Sequence, residues 1–263
     1  YAEEIQTPEY GEGLDGVLKE RANDLYGIIN GIDYTIWNPE SDKFIIANYG
    51  MKNLNGKQLC KKALQRKYKL PERGVPLVGM ITRLADQKGL DLVVDKFGDL
   101  MKAGLQFVLL GTGEQRYHEF FLDYARTYPE KVAVKLSFDE RSAHEIEAGA
   151  DMFLMPSRYE PCGLNQLYSL RYGTVPIVRN TGGLADTIVD VRSEPLSNGK
   201  ANGFSFLEYN SDLLLATIIR AMDLFKDKNQ WANLMKNGMA QDWSWERSAR
   251  EYAALYKRIV NEE

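Results

Sequence analysis

The sequence predicts an α/β fold built on a doubly wound, Rossmann-like parallel sheet. Three observations carry that expectation. Apolar runs of four to seven residues recur from Pro76 to Phe206, and they are continuously apolar rather than alternating. Stretches of helical period separate them. The connections are short and rich in glycine, as at Gly74, Gly104, Gly111-Thr112-Gly113, Gly173 and Gly182-Gly183. Strands apolar on both faces and divided by helices belong to a parallel sheet covered on both sides.

In chain order, residues 1–30 begin with a turn-rich entry, TPEYGEG, followed by a short helix around 14–22 and a strand-like LYGIIN. A passage at 31–39, GIDYTIWNP, leads out, and Pro39 within the polar NPESD suggests a linker. The predicted strands are 76–82, 106–111, 131–136, 150–155, 174–178 and 203–206. The predicted helices between them are 89–101, 114–127, 140–148, 163–172 and 183–190. Near the C-terminus, Tyr252, Leu255, Tyr256 and Ile259 share one helical face, with Ser244 as a plausible cap.

The 263 residues, with a net charge of −4, speak against nucleic-acid or anionic-membrane partners, because either wants a basic surface. No apolar run approaches the roughly 18 residues a spanning helix needs, and YAEEIQTPEY carries no signal-peptide pattern. Cys60 and Cys162 are too few and too far apart for a disulfide framework, so a reducing compartment and no secretion are expected.

In such a sheet, ligands bind beyond the carboxyl ends of the strands, where several motifs fall. In ITRLADQKGLDLV, Arg83 and Lys88 lie between a strand end and a helix start, and could neutralise a diphosphate. An isolated pair would be two surface cations. Arg83 directly after a buried strand, however, would need an anion. LLGTGEQR places Gly111 and Gly113 after a strand, but Arg116 stands where a dinucleotide fingerprint has its third glycine. That reads as a tight turn at a cleft. Phe138 is either a core residue or an aromatic able to stack on a base. His144 and His118, lacking a histidine neighbour, read as structural or solvated rather than as metal ligands, and no metal is expected.

The stretch SRYEPCGLNQL holds the strongest signal. Pro161 and Gly163 make a turn whose amides, at Gly163, Leu164 and Asn165, open a helix and suit an anion. Glu160 beside them would compete with that anion unless it accepts hydroxyls instead, and hydroxyls plus phosphate describe a nucleotide sugar. The alternative is a carboxylate capping the helix. TGGLADT repeats the logic at Thr181, Gly182 and Gly183.

TRLADQKGLD, LGTGE, AGADMFLMPSRYEPCGLNQLYSLRYGTVPIVRNTGGLADT and DWSWERSAREYAALY together resemble the starch and glycogen synthases, essentially over the whole chain. The resemblance implies a GT-B glycosyltransferase, two Rossmann-like domains across a cleft, of which this chain is the C-terminal, donor-binding one. Its divisions would be 1–38 as the end of the N-terminal domain and linker, 39–243 as the donor domain, and 244–263 as a helix crossing back. The implied reaction is retaining transfer from ADP-glucose to an α-1,4-glucan, releasing ADP, with no cofactor. UDP-glucose use and a non-catalytic binding module are the alternatives.

By the same resemblance, Arg83 and Lys88 serve the donor diphosphate, and Glu160 contacts the donor glucose. Cys162, Gly163 and Leu164 form a sugar-contacting turn. Phe138 stands where the family commonly has a tyrosine over adenine, keeping stacking and losing a hydroxyl. Tyr168 replaces the second glutamate of other retaining enzymes of this architecture. The family's Lys-x-Gly-Gly-Leu loop and its N-terminal-domain histidine are not in the sequence. The chain is therefore expected to be inactive alone, and to work in a bacterial cytoplasm or a plastid stroma.

Overall fold

The structure is a computed structural model that describes residues 1–261. Its elements in order are α1 (Asp15–Glu20), α2 (Asn55–Lys67), β1 (Leu77–Ile81), α3 (Leu90–Ala103), β2 (Gln106–Leu110), α4 (Gln115–Thr127) and β3 (Val132–Lys135). There follow α5 (Glu140–Gly149), β4 (Met152–Met155), α6 (Asn165–Tyr172), β5 (Val175–Arg179), α7 (Gly182–Thr187), β6 (Phe204–Phe206), α8 (Ser211–Lys226), α9 (Lys228–Met239) and α10 (Trp245–Asn261). All six strands are parallel, in the order β3-β2-β1-β4-β5-β6.

The chain winds outward from β1 to β3, then returns to lay β4 on the other side of β1. That reversal leaves a crevice beyond the carboxyl ends of β1 and β4. The pleat divides the strands cleanly between two cores. Val78, Met80, Phe107, Leu109, Met152 and Leu154 face α3, α8 and α9. Leu77, Val108, Leu110, Phe153 and Met155 face Leu64 of α2, Ile146 of α5 and Leu167 of α6. Period-two sorting of wholly apolar runs is what a sheet buried on both sides demands.

The segments outside the sheet depart more from expectation. LYGIIN, residues 25–30, forms no strand; two residues past it Ile32 bridges to Ser244, with its amide on the Trp243 carbonyl at 2.8 Å. A single crossing residue pair offers no ladder for a strand to extend. The NPESD passage is packed rather than free. Trp37 stacks at 3.8 Å on both His144 and Tyr168. Asp42, fully inside, accepts from His144 Nδ1 at 2.7 Å and from the Tyr172 hydroxyl at 2.6 Å. His144 is thus structural.

Ser244 does cap α10, accepting from the Arg247 amide at 3.4 Å. Along α10, Tyr252, Tyr256 and Ile259 are left exposed. No helix among the described residues is long and apolar enough to cross a membrane.

Candidate functional site: the crevice beyond β1 and β4

A cavity of about 540 Å³ lies in the crevice, and Ile81, Arg83, Lys88, Gly111, Phe138 and Asn165 are among the residues that line it. Its floor is the end of β1. The GTG turn after β2 lies flat against Thr82–Leu84, through the Leu84 amide on the Thr112 carbonyl (2.9 Å) and the Glu114 amide on the Leu84 carbonyl (2.8 Å). A Cβ at Gly111 would fall 1.8 Å from the Thr82 oxygen, and one at Gly113 would fall 2.2 Å from that of Leu84. These glycines serve close backbone packing that keeps the crevice open above β1. His118 finishes the turn by accepting the Gly113 amide at 3.0 Å.

Lys88 ends a short turn, Asp86–Lys88, that leads into α3. Its ammonium donates to Glu160 Oε2 at 2.7 Å, and the Ser157 hydroxyl donates to the same oxygen at 3.1 Å. Glu160 is only 7% exposed. The two loops are also stitched directly, by the Arg158 amide on the Gln87 carbonyl (2.8 Å) and by Gln87 Nε2 on the Tyr159 carbonyl (3.3 Å). The helix-cap alternative for Glu160 fails on this geometry. Its carboxylate is turned to Lys88 and Ser157, and no side chain caps α6.

Arg83 corrects an expectation. It is exposed rather than desolvated, and its guanidinium donates to the Gln87 side chain at 2.9 Å; among the described residues it has no carboxylate partner. Its positive charge is therefore open to an anion entering the cavity, although burial does not compel one. Phe138 settles its own ambiguity. At 82% exposed it is no core residue but a flat apolar wall of the crevice. Asp139 beside it is spoken for, capping α5 through the Ser142 amide and pairing with Lys135, which holds its carboxyl well below the usual range.

Of the turn after Glu160, Asn165 lines the cavity, and the predicted Cys162, Gly163 and Leu164 do not. Gly163 takes a left-handed φ of 71°, and Gln166 Nε2 donates to the Cys162 carbonyl at 2.9 Å. Burial pushes the Cys162 thiol up, so it stands there as a neutral group. Asn165 ties α6 to β1 by donating to the Ile81 carbonyl at 2.7 Å. Leu164 is partly exposed.

Two further predicted groups are placed otherwise. Tyr168 turns away to stack on Trp37 and does not line the cavity. The TGG turn has its donors engaged within the protein. Thr181 Oγ1 and the Gly182 amide both donate to Glu4, and the Gly183 amide donates to the Glu160 carbonyl. Sequence reasoning passed over Ser157 and Gln87, although both lie inside the motif strings, within four residues of Glu160 and Arg83, to which they bond. Glu4 carried no local signal at all. Among the described residues, no group of three or more His, Cys, Asp or Glu could hold a metal ion.

The crevice can thus meet an anion with Arg83 and Lys88 and a flat ring with Phe138, while Glu160 does not line it but holds Lys88 from beside it. The family described as "Glycosyl transferases group 1" matches residues 61–238. The chain is 52% identical, over 99% of its length, to the glycogen synthase of Thermosipho africanus (strain TCF52B), and 52% identical to that of Anaeromyxobacter dehalogenans (strain 2CP-1 / ATCC BAA-258). It covers 54% of each, and so spans about half the length of the curated relatives it matches. Among solved structures it superposes on the catalytic domain of starch synthase IV from Arabidopsis thaliana, bound to ADP and acarbose. The TM-score is 0.93 and the identity 37%, covering 99% of this chain and 54% of that one. Sucrose-phosphate synthase from Thermosynechococcus elongatus shares the fold, with a TM-score of 0.57 at 18% identity over 77% of this chain and 49% of that one. Sheet order, motifs and relatives agree, and the chain belongs to the group 1 glycosyltransferases, with the fold of a GT-B glycosyltransferase catalytic domain.

Proposed function

We propose that this chain is the donor half of a glycogen or starch synthase. In that reading it holds ADP-glucose while glucose passes, with retention, to the non-reducing end of an α-1,4-glucan. The observation that carries the reading is the Lys88–Glu160 pair at the edge of a cavity walled by Arg83 and Phe138. A nucleotide sugar has three chemically distinct parts, and the crevice offers a distinct partner to each. The adenine would lie on Phe138, the diphosphate between Arg83 and Lys88, and the glucose hydroxyls on Glu160.

The pair also suggests how charge is handled. Without donor, Lys88 is neutralised by Glu160. An arriving diphosphate competes for the ammonium, and Glu160 then has lone pairs free for sugar hydroxyls. As the glycosidic bond to ADP breaks, negative charge grows on the phosphate between the two cations. Such preorganised stabilisation of a leaving group is worth several kcal/mol, since removing one comparable donor typically costs ~3–4 kcal/mol. We also propose that the 263 residues bind nucleotide yet do not elongate glucan alone. Near-attack geometry needs an acceptor wall, which the extra length of the curated relatives is able to supply.

Titration calorimetry of the chain with ADP, UDP and GDP tests the reading. ADP is expected to bind at least about tenfold more tightly than the other two, a difference of ~1.4 kcal/mol. Equal affinities would overturn the adenine assignment, and binding of none would overturn the donor-site reading. Glucan elongation by the chain itself would overturn the proposal of inactivity.

A further inference from the structure

We infer that Glu4 is a positioning residue for the reaction: a strap at residues 1–12 sets, through the 181–183 turn, where Glu160 and Cys162 sit. The inference rests on the reading of Glu160 as the acceptor for donor-sugar hydroxyls. The contacts form an unbroken series. Glu4 Oε1 accepts from the Gly182 amide at 2.7 Å and from Thr181 Oγ1 at 3.0 Å, joining positions 178 and 177 residues apart. The Gly183 amide then donates to the backbone carbonyl of Glu160 at 2.9 Å.

Between the two turns there is no slack. A Cβ at Gly182, whose φ is +47°, would stand 2.1 Å from the Glu160 oxygen, and one at Gly183 would stand 2.0 Å from the Cys162 oxygen. Backbone therefore rests directly on backbone, with no side chain to absorb a shift. The carboxylate that anchors the far end is committed to the contact, because Glu4 Oε2 is buried with no partner. Burying an unpaired oxygen is costly unless the bonds on its neighbour are worth more.

The strap touches the same loop a second time. The rings of Tyr10 and Tyr159 lie 6.3 Å apart, and Arg179, at the end of β5, donates to the Arg158 carbonyl. Residue 159 and residue 160 are thus flanked by strap contacts, on one side directly and on the other through the glycines. The diphosphate cations stand one step further off. Arg83 and Lys88 sit on the 83–89 loop, which no strap residue touches directly and which meets the strapped loop through the bonds of Gln87 and Lys88 to residues 158–160.

That separation makes a test. The chain and its Glu4→Ala, Glu4→Gln and Thr181→Val variants are compared by hydrogen exchange and by titration with ADP and with ADP-glucose. Glu4→Ala is expected to speed exchange more at 158–166 than at 82–89, which follows only through the bonds of Gln87 and Lys88. It should also cut the preference for ADP-glucose over ADP by about tenfold, in keeping with the loss of hydrogen bonds to a charged acceptor. Glu4→Gln keeps an acceptor oxygen and should recover most of the preference, and Thr181→Val, losing one donor, should fall between. These milder variants carry the test if Glu4→Ala does not fold.

Unchanged exchange at 158–166 with the wild-type preference intact would overturn the inference alone. So would faster exchange everywhere, or equal weakening of both ligands, since Glu4 would then only hold the fold. Tighter ADP binding by Glu4→Ala would show that the carboxylate merely competes with the ligand. A wild-type chain that binds ADP and ADP-glucose equally would overturn the reading of Glu160, and this inference with it.

Discussion

Replacing Glu160 by glutamine perturbs one contact whose geometry is fully described. The carboxylate Oε2 takes Lys88 Nζ at 2.7 Å and Ser157 Oγ at 3.1 Å, and the two charged side chains are 22% and 9% exposed. The amide keeps the shape and one acceptor oxygen, which Ser157 can still use. It cannot neutralise Lys88. A hydrogen bond to a charged group is worth ~1.5–3 kcal/mol, and this pair is too buried for solvent to screen most of it. A stability loss of about 2 kcal/mol is expected, and thus a fall of roughly 4–8 °C in Tm for a domain of this size. ADP affinity should hold or rise slightly, because Lys88 no longer has a carboxylate competing with phosphate. The preference for ADP-glucose over ADP should drop about tenfold, since the sugar's ionised acceptor is gone. Scanning calorimetry gives the first quantity and titration calorimetry the other two. An unchanged Tm would refute the energetic reading of the pair. A drop of more than about tenfold in ADP affinity would refute the division of labour between phosphate and sugar.

Three further outcomes follow from the same structure. Arg83→Ala should weaken ADP about tenfold by titration while leaving the melting temperature nearly unchanged, because an exposed guanidinium bonded, among the described residues, only to Gln87 adds little to stability. Phe138→Ala should likewise spare Tm, and should cost ADP ~1–3 kcal/mol if the ring stacks on the base, with UDP affected less. Glu147→Gln tests a buried carboxyl pushed up from 4.5 to about 8 by burial, with Ser169 on one oxygen and the other unpartnered. A raised folded-state value means that the folded protein holds the proton more tightly than the unfolded one. That stability is full below about 4.5 and lost as pH rises through about 8, on the order of 4 kcal/mol in all. The glutamine variant, permanently neutral, should melt near wild type at pH 5 and above it at pH 8.5; parallel curves would refute the raised value.

The sheet was legible because its signal is local and redundant. Each apolar run predicts a strand by itself, and the six agree on one architecture. Helix ends were less so. The helix expected over 183–190 stops at Thr187, because Asp190 is drawn off to bridge Gly203 and to bind Arg220 at 3.0 Å. Three helices, α2, α8 and α9, were not anticipated. For α8 the signal was present, since Leu214, Ile218, Ala221 and Phe225 are buried at helical spacing behind an Asn210 cap. LYGIIN failed in the opposite direction, because β-branched composition reports fitness for a pleated surface and not whether a neighbouring strand exists.

The site divides along the same line. Arg83, Lys88, Phe138 and Glu160 each stand at a strand's end, and the topology alone brings such ends together at the switch point. What composition could not supply was the state of each side chain. Arg83 beside a buried strand looked desolvated, yet two residues beyond β1 are enough to reach solvent. Phe138 looked better suited to the core, yet it stands on the loop between β3 and α5, 82% exposed. The TGG turn shows the deeper difficulty. Read locally, its free amides invite an anion, and the anion is there, but it is Glu4, brought from 178 residues away. A motif states which groups a turn can bind. Whether a ligand or the chain itself fills them depends on long-range packing, so a glycine-rich turn can serve a site without touching the substrate. Here the close contact of residues 182 and 183 with the Glu160 and Cys162 carbonyls is that service.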